Sequence, residues 1–224
     1  MINLTKTDKL GYAFLSFVFI LSLYFGFTDA DFFNSKFTVE DGMVEYGTAI
    51  MLFLLSILCI YRLFTIGKSK PVLWILGTLI FALLFFFGAG EEISWGQRIF
   101  DIESSEYFKE NNAQAETNLH NLVVDGKKIN KIIFSQLLMA VMVLYLLISP
   151  VLYRKQEWFK NLANKFAVPI VKWHHTIAFI ISTVLVAINP PDRKWEVYEL
   201  AFGVIFFLIF LNPLNGFIFE KKSN

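Results

Sequence analysis

Charge is scarce in this chain. Only 17% of its 224 residues are Asp, Glu, Lys or Arg, against 56% that are hydrophobic. Water-soluble domains carry nearer a quarter charged residues, so too few are present here to coat a globule in water. The surplus apolar surface has lipid as its natural environment. A basic surplus is absent too. The net charge of +1 offers no concentrated patch for a nucleic acid. Cysteine occurs once, at Cys59 in an apolar run, which excludes an internal disulfide and leaves the redox compartment unread. Repeats, low-complexity tracts and polar linkers are missing as well, which points to a single transmembrane domain over 1–224.

What the chain does have is long apolar runs. Crossing a bilayer takes about 20 such residues in a helix. The stretches 10–27, 43–64, 71–90, 132–153, 168–188 and 197–219 meet that need, each bounded by charge, Pro, Gly or Asn. The expected fold is therefore all-α: an integral membrane bundle of about six transmembrane helices. A long outer-side loop, 93–131, separates the third from the fourth. Lys6 and Lys9 precede the first run as in a signal peptide. That run is longer than a usual h-region, however, and Thr28-Asp29-Ala30 is a poor cleavage site, so an uncleaved first helix is expected.

Lys6, Lys9, Arg62, Lys68, Lys70, Arg154, Lys155, Lys160, Lys165, Lys221 and Lys222 fall in short segments on one side of such a bundle. The positive-inside rule makes that side, with both termini, cytoplasmic. Lys127, Lys128 and Lys131, beside the fourth run, pull the other way. Sixteen of the nineteen acids fall on the outer side, giving it a formal charge near −8. Acids hardly affect insertion, so this skew points instead to a field that draws cations or a basic protein partner.

The third run ends in Gly88-Ala89-Gly90-Glu91-Glu92-Ile93-Ser94-Trp95-Gly96-Gln97-Arg98. Two carboxylates here stand at the outer membrane boundary. The glycines admit close approach or a bend, and Trp95 suits the headgroup level. Arg98 reaches Glu91 or Glu92 only if the chain turns back at Gly96, and an unpaired charge at this depth is costly. The loop beyond is too long to be a mere connector and is expected to hold a short helix over 104–110. An amide-rich stretch with Asn111, Asn112, Gln114, Asn118 and Asn121 follows. Amides both donate and accept, so they can order a polar pocket or bind a headgroup. Glu116 and His120, four apart, would share a helix face and could serve as a hydrogen-bonded pair or as two ligands of one metal. Glu45 and Glu199, just inside the second and sixth runs, join the same membrane face. His174 and His175 sit near the cytoplasmic end of the fifth run. Helix neighbours point about 100° apart, so an interfacial anchor is the expectation for them rather than a shared ion. Asn212-Pro213-Leu214-Asn215-Gly216 reads as a kink or an early helix end.

The motif Gly90-Glu91-Glu92-Ile93-Ser94-Trp95-Gly96-Gln97-Arg98, with Glu116-Thr117-Asn118-Leu119-His120-Asn121, resembles a pattern of bacterial polytopic inner-membrane proteins without established activity. The resemblance covers about thirty residues and implies a multi-pass protein of the bacterial inner membrane. A weaker likeness is to intramembrane proteases that act at prenylated or similar termini and pair adjacent glutamates with an arginine and later histidines. Glu91 and Glu92 match the first element. Arg98 lies too far along, and no later run carries an outer histidine.

Three functions are compatible with these residues. A membrane-embedded enzyme acting on a lipid or envelope precursor would use Glu91, Glu92, Arg98 and His120 for catalysis. Glu92, Glu116 and His120 would hold a divalent metal, supported by Glu45, Trp95, Gln97, Asn118, Asn121 and Glu199. With so many carboxylates, Mg²⁺, Mn²⁺ or Ca²⁺ fits better than zinc. A non-catalytic subunit or sensor would use the same groups as clamps that fold a partner-docking loop. A cation transporter or channel would gather ions at the acidic face, although the runs show no midplane acid or inverted repeat.

Overall fold

Asp8 accepts the backbone N–H of Thr5 at 2.8 Å, and Thr5 Oγ1 accepts that of Asp8 at 3.1 Å. This reciprocal cap starts the first helix at Lys6. The computed structural model describes residues 3–119, 121–124, 127–128 and 138–221. Its helices are α1 (Lys6–Thr28), α2 (Ala30–Phe32), α3 (Met43–Ile66), α4 (Val72–Glu92) and α5 (Glu106–Asn111), then α6 (Leu138–Val143), α7 (Ser149–Lys155), α8 (Glu157–Lys165), α9 (Trp173–Ile188) and α10 (Lys194–Leu211). Among the described residues the architecture is helical apart from one antiparallel ribbon, β1 (Val123–Val124) on β2 (Lys127–Lys128).

Three of these segments are long and apolar enough to cross a membrane: Lys6–Thr28, Met43–Ser69 and Val72–Glu92. Their outer faces carry Phe17, Ile20, Phe53, Leu83 and similar side chains in the open, surface that hydrocarbon solvates and water does not. α9 is apolar but shorter. α10 is different in kind. Lys194, Glu196 and Glu199 occupy its first turns, and beyond them Leu200, Ala201, Val204, Ile205, Leu208 and Ile209 are buried around most of the helix. It is the central helix, packed on α1, α3 and α9, while α3 and α4 pair along their lengths. Ser56 joins that pair by donating to the Ala82 carbonyl at 2.8 Å. The bundle has an acidic end, where α3 starts, α4 stops and α10 starts. At its basic end α1 and α9 start and α10 stops.

Several expected boundaries move. The fourth run begins, among the described residues, at Leu138 and passes through a wider turn at Leu144–Ile148 before α7; 131–137 lie outside the described residues. The fifth helix starts at Trp173 and not at 168, because Pro169 disfavours helix at Val168 and the chain there bonds elsewhere. Asn215, fully buried, accepts the Ile170 N–H at 2.8 Å and donates to the Val168 carbonyl at 2.9 Å. Tyr145 donates to the Pro169 carbonyl at 2.6 Å, and the Leu214 N–H to that of Ile170 at 2.7 Å. Gly77 of α4 lets the same segment in, since any Cβ there would collide with the Phe166 carbonyl. The sixth helix ends at Leu211, before Pro213, and a separate turn follows at Gly216–Phe219. That is the early end expected at Asn212–Gly216.

Candidate functional site at the acidic end

α4 stops after Glu92 because the chain enters the left-handed region for three residues: Ser94 (φ 46), Trp95 (φ 56) and Gly96 (φ 75). Glycine is at ease there, but Ser and Trp each lose about 1–2 kcal/mol. Backbone bonds from Gly96 to Ile93 (2.8 Å) and from Gln97 to Ser94 (3.1 Å) hold the turn. So does Trp95. Its ring folds back over Gly90, where a Cβ would stand 2.8 Å away, and its indole N–H donates to Glu91 Oε1 at 2.9 Å.

Glu91 is buried and accepts a second bond at Oε2, from the Leu119 backbone N–H at 2.6 Å. It thereby ties the end of α4 to the loop. Ser94 does the same from the other side, donating to Glu116 and accepting from Asn118 Nδ2 at 2.8 Å. Arg98 forms ion pairs with Asp41 and with Glu116. The expected pairing of Arg98 with Glu91 or Glu92 is therefore corrected. The chain does turn at Gly96, but the left-handed residues swing the guanidinium outward, to the linker before α3 and to the loop. Gln97 completes the clamp by accepting the Thr117 N–H at 2.8 Å and donating to Ser104 at 2.5 Å.

The amides order the loop internally. Asn112 donates to the carbonyl and the side chain of Asn118, both at 2.9 Å, and Asn121 donates to Gln114 at 2.7 Å. Asn112 Oδ1 also accepts the N–H groups of Gln114 (2.9 Å) and Glu116 (3.3 Å), and Ala115 sits at φ 57. Side-chain caps of this kind compete with helix. Hence the helical face expected to carry Glu116 and His120 does not form: the chain is irregular from Ala113 to Leu119. His120 lies outside the described residues. The short helix expected over 104–110 is present as α5, Glu106–Asn111. Asn111 takes no part in this network and donates to the Tyr107 carbonyl at 2.9 Å.

Glu92 belongs to a different group. It is half-buried, and its electrostatic neighbours are Glu199, Glu196, Glu45 and Glu91. The starts of α3 and α10 and the end of α4 thus place these carboxylates within electrostatic range of Glu92, although no three of their ligand atoms lie within 4.8 Å of one another. Glu45 accepts the Asp41 N–H, and Glu196 pairs with Arg193 at 3.1 Å. Glu199 is exposed, so the group opens to the surface. Carboxylates crowded in this way repel one another, and a bound cation relieves the repulsion.

The structure therefore separates neighbours in sequence. Glu91, Trp95, Gln97, Arg98, Glu116, Asn118 and Asn121 form a loop clamp, whereas Glu92, Glu45 and Glu199 form an open carboxylate group. Sequence reasoning missed Asp41, Glu40 and Ser94 as partners. Glu40 accepts from Gln114 and pairs with Arg193 at 3.4 Å, linking the loop to the start of α10. The acidic run Glu40-Asp41-Gly42 was the available signal, since two adjacent acids beside a membrane boundary call for cations. No family model, no curated protein and no solved structure matches the chain, so the reading of this site rests on its own geometry.

Proposed function

We propose that the protein is a six-span enzyme of the bacterial inner membrane, with both termini cytoplasmic, acting at the outer leaflet on a lipid or envelope precursor. The three long apolar helices supply half of the spans, and α6 with α7, α9 and α10 complete an antiparallel bundle whose basic end suits the cytoplasm. The observation that carries the reading is that carboxylates from three helices, Glu45, Glu196 and Glu199, lie within electrostatic range of Glu92, so that a cation could draw them together. All-oxygen donors of this kind select Mg²⁺, Mn²⁺ or Ca²⁺. A cation also answers a physical difficulty: an anionic headgroup would be repelled by the acidic face, and a metal held there would offset that repulsion and supply Lewis-acid chemistry. Glu92 is the group assigned to ligate the metal and accept a proton, with Glu45 and Glu199 as further ligands.

Mn²⁺ titration of the detergent-purified protein, followed by loss of the free-ion electron paramagnetic resonance signal, tests this. Saturable binding that is abolished in Glu92→Gln and Glu199→Gln is the expected result. Mn²⁺ uptake that is absent, or unchanged in both variants, ends the reading.

A second reading is favoured by the clamp itself. Glu91, Glu116 and Asn118 spend their polar atoms on the clamp, which Arg98 closes from its rim, and the loop presents Ile99, Phe100 and Ile102 on its outside. On this reading the motif folds a docking surface of a non-catalytic subunit. Mn²⁺ indifference together with a folded, clamp-dependent loop would favour it.

A further inference from the structure

At the basic end, far in sequence from the motif, three side chains from the first turns of α1 and α9 meet in the interior. Asp8 and His175 are fully buried and His174 nearly so. In each, one heteroatom is fixed by a neighbour. Asp8 Oδ2 accepts from the Thr5 hydroxyl at 2.7 Å and from its N–H. His174 Nδ1 shares a 2.7 Å hydrogen bond with the Tyr12 hydroxyl, and His175 Nδ1 accepts the Lys172 N–H at 3.3 Å. The remaining atoms, Asp8 Oδ1, His174 Nε2 and His175 Nε2, are buried with no hydrogen-bond partner among the described residues. Burying a polar atom in that state costs about 1–3 kcal/mol, and here three do so together. One ligand atom from each side chain lies within 4.8 Å of the others.

We infer that Asp8, His174 and His175 form a binding site for a divalent first-row transition ion, with zinc the best fit. Two imidazoles and one carboxylate are a recurrent donor set for such ions and leave a coordination position open. The spacing of His175 and Asp8 is close to that required. Donors around a tetrahedral zinc stand roughly 3.3 Å apart, and His175 Nε2 to Asp8 Oδ1 is 3.8 Å, too long for a hydrogen bond and about half an ångström from a shared metal. Two of the three ligands have the orienting partner of a metal site, Thr5 on Asp8 and Tyr12 on His174. The two rings lie side by side, their centroids 4.1 Å apart, although they are sequence neighbours. Residues about 100° apart on α9 can share an ion when Asp8 of α1 supplies the third donor between them. The expected interfacial anchor role fails, since both rings are buried.

The class of ion follows from the field. Helix N-termini carry partial positive charge, and two of them converge here beside Lys172, so charge attraction alone would not hold Mg²⁺ or Ca²⁺. Nitrogen donation to a transition ion does not depend on that field. Ligation through His175 Nε2 requires its proton on Nδ1, which breaks the long Lys172 contact, the weakest of the three. An apolar cleft of about 270 Å³ between α1 and α9 is lined by Tyr12 and His174, bringing this edge of the cluster to the surface of the bundle.

The test is metal analysis of the purified protein, followed by Co²⁺ titration of chelator-stripped protein read by visible ligand-field absorption. Wild type should hold about one zinc or similar ion per chain and give the intense bands of a low-coordinate nitrogen-ligated Co²⁺. Asp8→Asn and His174→Ala should lose both. Tyr12→Phe, which preserves packing, should weaken Co²⁺ binding about 10-fold or more. Glu92→Gln and Glu116→Gln at the other end should leave the bands untouched, so this site and the acidic-end site stand or fall separately. Wild type that takes up neither ion, or Co²⁺ bands that persist through Asp8→Asn and Tyr12→Phe, overturns the inference.

Discussion

Glu91 and Glu116, at the acidic end, are as deeply buried as Asp8, His174 and His175 at the basic end, yet the two groups are satisfied differently. Both oxygens of Glu91 accept hydrogen bonds, and Glu116 is engaged by Ser94, Asn118 and Arg98. Each member of the basic-end triad keeps one buried atom over. A loop made the difference. The amide-rich chain over 112–119 can fold its own N–H groups onto a carboxylate, whereas two helix starts have fixed backbones and offer only side chains. A closed set of partners marks a structural role and a convergent remainder marks a ligand. The carboxylates around Glu92 stand between these cases, half-buried and open to the surface.

If the clamp is structural, breaking it should cost the most. Glu91→Ala would leave the Leu119 N–H and the Trp95 indole without their charged acceptor, a loss of about 2–4 kcal/mol from two charge-assisted bonds. Thermal unfolding in detergent should show it, and limited proteolysis should cut within 93–119 well before the apolar helices. A variant that unfolds like wild type and resists the protease would show that the clamp does not hold the loop.

Reversing the ion pair probes the same clamp at its rim. Arg98→Asp should destabilise by about 1–2 kcal/mol, less than for a buried pair because the Arg98 side chain is 42% exposed and partly screened. Adding Asp41→Arg should restore roughly half of the loss. The recovery is partial because Glu116, only 10% exposed, would still face a negative charge. No recovery in the double variant would mean that Asp41 is not the working partner of Arg98.

How much of this was legible in sequence divides along the same line. The α3–α4 pair and α1 follow from apolar length alone, which is why 43–64 and 71–90 match helices within a few residues. Pro169 and Pro213 mark the two places where apolar length misleads, because a run of the right composition need not be helical when a proline removes a donor and a buried Asn215 offers bonds instead. At the site, the motif residues were visible but their partners were not. Trp95 and Glu91 are local, four apart, and could be paired by inspection. Asp41 to Arg98 and Glu40 to Arg193 span separate elements, so only the fold relates them. The basic-end triad was out of reach for a related reason: helix angle describes one helix, and Asp8, which lies within ligand distance of both histidines, comes from a second.

Trp95→Phe should have a smaller effect. The ring keeps its place over Gly90 and against Phe87, while Glu91 loses one of its two donors, so the cost should be about 1 kcal/mol. A loss as large as that of Glu91→Ala would show that the indole bond, and not the Leu119 contact, carries the clamp.

The smallest effect on stability should come from the residue next to the one with the largest. Glu92→Gln takes one ionisable carboxyl out of a group that includes Glu45, Glu196 and Glu199, at the expense of little packing. In chelator the variant should unfold at or slightly above the wild-type temperature. In Mn²⁺ the order should invert, because wild type gains binding free energy that the variant cannot. The sign change with metal is the discriminating feature. A clamp residue would be destabilised in both conditions, and a mere surface acid would be indifferent in both. Only a carboxylate that the fold tolerates for the sake of a cation crosses over, and two residues adjacent in sequence would then have opposite duties because they point about 100° apart on the last turn of α4.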